Sequence, residues 1–77
     1  MGIQTSVQVS PSRAVKIDEE DAATTYIGIS TPGADGSAAV WQMRRILVTG
    51  TVTDIEFADG DADYGNIWDN RAALSYS

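Results

Sequence analysis

The strongest constraint on this chain is alternation. In four separate runs, side chains of one kind recur at every second position. Ile3, Thr5, Val7 and Val9 face one way, with Gln4, Ser6 and Gln8 opposite. Val15 and Ile17 share a side within Arg13 to Ile17, and Thr51, Thr53, Ile55 and Phe57 oppose Asp54 and Glu56. Ala72, Leu74 and Tyr76 fall in register within Arg71 to Ser77. A period of two is that of an extended strand with one face on a core. A fifth run, Thr24 to Thr31 (TTYIGIST), is rich in β-branched and aromatic residues and also reads as a strand. Gly28 within it predicts a bulge or a close backbone approach.

The breaks between these runs are equally clear. Ser10-Pro11-Ser12 ends the first, and Pro32 to Ser37 places one Pro and two Gly in six residues. Ala38 to Val48 (AAVWQMRRILV) fits two periods. A helix would align Val40, Met43 and Leu47, whereas a strand sets Trp41, Met43 and Leu47 against Val40, Ile46 and Val48. Its β-branched residues and the Thr49-Gly50 break before another alternating run favour a strand and hairpin. The expected architecture is all-β: one domain over residues 1–77, a small sandwich or barrel of about six or seven short antiparallel strands. Residues 1–23 would form an extended N-terminal arm or the first strands.

Seventy-seven residues lie near the size at which a single core becomes marginal. The chain has no Cys and no His, which removes disulfides, most zinc sites and every His-based triad. Association with other subunits is therefore the expected source of added stability, and a homo-oligomer is expected. The net charge of −6, with Arg13, Lys16, Arg44, Arg45 and Arg71 scattered, provides no basic stripe for phosphates and predicts no direct nucleic-acid binding. Acidity favours a basic partner surface instead. The start, MGIQTSVQVS, lacks the basic residues and apolar run of a Sec signal. No apolar stretch is long enough to span a membrane. Asp18-Glu19-Glu20-Asp21 is expected to be a solvated loop, since four adjacent carboxylates repel one another.

The segment from Ala58 to Asn66 holds Asp59, Asp61 and Asp63 at alternate positions, like the opening of a calcium loop. Such a loop also needs Gly at its sixth position and a bidentate Glu at its twelfth. Here those positions hold Tyr64 and Asn70, so a turn is the better reading and no metal or other cofactor is expected. Catalytic residues are not expected either, because the acids fall in polar loops or on exposed strand faces. Trp41 and Trp68, with Tyr26, Tyr64 and Tyr76, are read as core or interface area in preference to a sugar-stacking platform. Arg44 and Arg45 should point to opposite faces, one toward an acid or carbonyl and the other toward a partner. Asp69 and Arg71 are expected to brace Trp68 and tie a last strand, ending with Tyr76, to the acidic loop.

Three segments in order, YIGISTPG (Tyr26 to Gly33), AVWQMRRI (Ala39 to Ile46) and IEFADGDADYGNIWDNRAALSYS (Ile55 to Ser77), resemble a group of small tailed-bacteriophage proteins. That group pairs a YIG…PG segment with V-W-x-I-x-R and closes with ADG…N-x-W-D-x-R-A-S-L-x-Y. The match spans about Thr24 to Ser77 and departs at Met43, where an aliphatic residue is usual, and at Ala73, where Ser is common. The resemblance implies a virion component, made in the bacterial host cytoplasm and contacting capsid, tail or fibre subunits. Two roles follow as expectations: a repeating structural protein, or a host-recognition or carbohydrate-binding module.

Overall fold

The structure, a computed structural model, describes residues 13–77. The strand expected over Ile3 to Val9 and the break after it lie outside the described residues. The fold is all-β. Strands β1 (Ala14–Glu19), β2 (Thr24–Ser30), β3 (Ala39–Thr49) and β4 (Val52–Phe57) form an antiparallel meander in sequence order. A two-residue strand, β5 (Asn66–Ile67), pairs with the start of β3 and leads into a 3-10 helix, Trp68–Ala73. The described residues thus form one five-stranded sheet, where two packed sheets or a closed barrel were expected. The ambiguous run is a strand: β3 is the longest in the sheet and the one on which the others are built.

The turns follow from their residues. Asp21 Oδ1 accepts the N–H groups of Ala23 (2.8 Å) and Thr24 (2.9 Å), closing the β1–β2 connection. Of the acidic run, Asp18 and Glu19 belong to β1, so the expected loop is confined to its second half. Pro32 and Gly33 occupy the centre of a turn closed by Ala34 N–H to Thr31 O (3.2 Å), and φ of +83° at Gly33 gives it the type II pattern. Gly50 at +62° opens the two-residue turn between β3 and β4.

Register assigns every strand residue to a face. Tyr26 lies opposite Asp18 and Arg45, Gly28 opposite Lys16 and Met43, and Ser30 opposite Ala14. That face carries the core: Tyr26, Trp41, Met43, Ala58 and Trp68 are buried, with Ala14, Ala34, Leu74 and Tyr76 packed around them. The segment after β5 covers it. The other face carries Val15, Ile17, Ile27, Ile29, Ile46, Val48, Ile55 and Phe57.

The last strand expected over Arg71 to Ser77 is not formed. Its first half is the 3-10 helix, and the remainder pairs briefly with the end of β4. Phe57 and Ser77 exchange both backbone bonds (3.1 Å each), and Asp59 N–H donates to Ser75 O (2.7 Å). The physical reason lies in Trp68 and Arg71. In a 3-10 helix residues three apart eclipse one another, which sets the Arg71 guanidinium over the Trp68 indole, 4.6 Å from its centroid. An extended strand would send these two side chains to opposite faces.

Candidate functional site

The three segments quoted for the phage resemblance meet at one point on the covered face. Gly28 of β2, Trp41 of β3 and Trp68 of the 3-10 helix are in mutual contact. A Cβ at Gly28 would lie 2.6 Å from Trp68 Cε3 and 3.0 Å from Trp41 Cε3. What closes on Gly28 is a pair of indole side chains, where a bulge or a backbone approach was expected, and the β1–β2 and β2–β3 register is regular there. The indoles sit 6.1 Å apart and tilted by 46°, within the preferred range for aromatic pairs. Trp41 is fully buried, and its Nε1–H donates to Asp35 O (2.9 Å), which satisfies its one polar atom. Both indoles belong to the core, so neither offers a face to a sugar.

Around this junction lies a set of cations and rings. Lys16 Nζ stands 5.8 Å from the Trp41 ring centre. Arg71 Nε donates to Asp18 Oδ2 (2.9 Å), with both side chains about 30% exposed. Arg71 Nη1 also donates to Trp68 O (3.3 Å), and Arg71 O accepts from the Tyr76 hydroxyl (2.8 Å). Tyr76 packs on Tyr26 with ring centres 5.8 Å apart, and Arg45 lies 5.0 Å from the Tyr76 ring centre while bonded to Glu56 (2.5 Å). Burial first, and Tyr26 next, push the Tyr76 hydroxyl up to about 12, against the opposing pull of Arg45 and Arg71.

The expected Asp69–Arg71 brace takes a different form. Asp69 N–H donates to Gly36 O (3.0 Å) and its carboxylate lies against Gly36, while Arg71 reaches across to Asp18. Eclipsing over Trp68 aims Arg71 at β1, away from its near neighbour. Arg44 and Arg45 do face opposite ways. Arg45 finds Glu56, as expected for one of the pair. Arg44 donates to Gln42 Oε1 (2.9 Å) and stacks on Phe57 (5.2 Å), and its buried Nε has no partner.

The acidic loop is a turn built by its own side chains. Asp59 (φ +58°) and Gly60 (φ +72°) form the Asp-Gly centre of a type I′ turn closed by Asp61 N–H to Ala58 O (3.3 Å). Asp61 Oδ1 then accepts from Asp63 N–H, and Asp63 Oδ1 from Tyr64 N–H. Among the described residues no three His, Cys, Asp or Glu side chains come together in a way that could hold a metal ion. The loop leans over the corner of the open sheet face. Gln42 Nε2 donates to Ala62 O (3.0 Å), and Arg13 bonds the Tyr64 hydroxyl. No helix among the described residues is long and apolar enough to cross a membrane.

Three features escaped the sequence reading: Asp18 as the partner of Arg71, Tyr26 as the seat of Tyr76, and the open apolar face. The last of these is a correction: the strand acids Asp18, Asp54 and Glu56, expected in polar loops or on exposed faces, point to the covered face, and Val15, Ile17 and Ile55 point to the open one. Comparison with family models, curated proteins and solved structures found no match for this chain.

Proposed function

We propose that this chain is a non-enzymatic structural component of a tailed-phage virion, present in many copies, decorating the capsid or sitting at the tail or fibre attachment. One observation carries the reading: the segments on which the phage resemblance rests spend their distinctive residues on packing. Gly28, Trp41 and Trp68 seat one another, and Arg71 and Tyr76 bind the chain end down. A protein selected for chemistry would be expected to aim such residues into a cleft. A protein selected for assembly needs a small, firmly closed core and free surface for neighbours. The acidic loops and turns supply charge for a basic neighbour, and the sheet supplies an apolar one.

Quantitative mass spectrometry of purified virions of the phage that encodes this chain tests the proposal. Copy numbers in the tens to hundreds, in a fixed ratio to the major capsid or tail protein, are the expected result. Absence from purified particles, with the protein present in infected cells, would overturn it.

A further inference from the structure

We propose that the open face of the sheet is a homodimer interface, on which a second copy of this chain packs face to face. Among the described residues seven large hydrophobics are exposed, and four of them, Val15, Ile17, Val48 and Ile55, lie on this one face. Ile17 and Ile55 are 55% and 63% exposed, and Ile27 and Ile46 lie between them on the inner strands. Scattered surface aliphatics are ordinary, but a contiguous stripe across four strands marks a covered surface.

Size and charge point to a second copy as the occupant. Four strands at about 4.8 Å spacing and six residues at about 3.4 Å each give a face of about 19 by 20 Å. Side-chain relief raises the accessible area above that footprint, and two such faces together reach the ~1,000 Å² that a specific interface needs. Charge permits the contact despite the net −6. Of the eleven acids, only Glu19, near one end of the edge strand β1, has its strand position on this face. Asp18, Asp54 and Glu56 point to the covered face, and the others sit in turns, loops and the 3-10 helix. The loop with Asp61 and Asp63 leans over one corner of the open face through Gln42, and Gln42 and Arg44 are among the polar side chains within it, so the carboxylates of two copies stay at the margins of the contact. Stacked sheets sit about 10 Å apart with side chains interdigitated, so two chains would complete between them the sandwich that one chain lacks. Residues 1–12 are the other candidate cover, but a single extended pass spans only about 5 Å of the face's width.

The test is sedimentation equilibrium of the full chain with three variants. Ile55→Glu puts a carboxylate at the centre of the outer half of the face. Val52→Glu makes the same change at a residue of matching exposure (56%) whose strand position faces the other way. The third variant lacks residues 1–12. The wild-type chain should sediment at twice its 8.2 kDa mass. Ile55→Glu should weaken the dimer by about a hundredfold or more, because each copy would bury an unpaired charge. Val52→Glu and the truncated chain should remain dimeric, and unchanged far-UV circular dichroism would show that each variant is folded. A wild-type monomer at millimolar concentration, a dimer or larger ring indifferent to Ile55→Glu, or dimerisation appearing only after truncation would each overturn the proposal. None of these outcomes depends on whether the chain is found in virions.

Discussion

Replacing Gly28 by Ala tests the junction on which the covered face is built. Two opposing terms set its effect. Removing a glycine from the interior of a strand lowers the entropy lost on folding and favours Ala by roughly 0.5–1 kcal/mol. Against this, the new methyl would sit 2.6 Å from Trp68 Cε3, closer than two carbons can approach, with Trp41 Cε3 at 3.0 Å. Neither indole has an easy retreat. Trp41 is fully buried and held at Nε1, and Trp68 lies between Gly28 and the Arg71 guanidinium. Overpacking of a filled core costs typically ~1–3 kcal/mol, and locked rings place this site toward the upper part of that range. The net expectation is a loss of about 1–2 kcal/mol. For a domain of this size that lowers Tm by roughly 5–15 °C, a substantial share of a total stability of about 4–11 kcal/mol. Urea unfolding followed by tryptophan fluorescence, at one fixed protein concentration because association shifts apparent stability, should show a lower midpoint and an unchanged slope.

A double-mutant cycle assigns the loss to its cause. Trp68→Phe removes the fused six-membered ring, which carries the Cε3 and Cζ3 atoms nearest Gly28. In that background Gly28→Ala should cost little or become stabilising, giving a coupling of about 1 kcal/mol or more between the two positions. An equal penalty in both backgrounds, or no penalty in the wild type, would refute the claim that Gly28 is the seat of Trp68.

Two further expectations concern the polar frame around the junction. Arg71→Ala removes the Asp18 bond and the stack on Trp68 together, and should cost about 1–2 kcal/mol by urea unfolding, whereas Asp18→Asn removes only a partly exposed ion pair and should cost under about 1 kcal/mol; equal losses would mean that the stack contributes nothing. Tyr76 is an acid whose hydroxyl is raised from 10.0 to about 12 in the folded chain, so between those values the unfolded chain binds fewer protons and stability falls as pH rises, while below pH 10 this group leaves stability independent of pH. Absorbance titration near 295 nm should resolve one late-ionising tyrosine that Tyr76→Phe removes, and ionisation of that tyrosine near 10 would contradict the buried Tyr26–Tyr76 pairing.

The sequence revealed the strands because each of their signals is local. Alternation in Thr51 to Phe57, β-branching in Thr24 to Thr31 and the Thr49-Gly50 break all act within a few residues, and the structure follows them closely. The chain end was misread for the same reason. Ala72, Leu74 and Tyr76 alternate as a strand would, but the conformation there is decided by contacts distant in sequence: Arg71 with Asp18, 53 positions away, and Trp68 with Gly28. Two alanines without β-branching offer little local resistance to a 3-10 turn. The candidate residues were legible as aromatic and charged anchors. Their pairing was not, because nothing in the string distinguishes Asp18 from Asp69 as the partner of Arg71.

The two faces of the sheet are finished to different degrees, and the difference bears on how this chain reaches a stable state. On the covered face each larger group has a partner: rings on rings, cations on rings, and the chain end fastened through Ser75 and Ser77 to the end of β4. Among the described residues the buried apolar set there is five residues, one of them an alanine. A core that small offsets only part of the conformational entropy of the sixty-five described residues. The open face leaves Val15, Ile17, Val48 and Ile55 exposed. Placing them against another copy would add apolar burial with no further backbone to fix. Stability and assembly are then two readings of one surface. In the proposed dimer, a chain built this way would gain its full stability only on association.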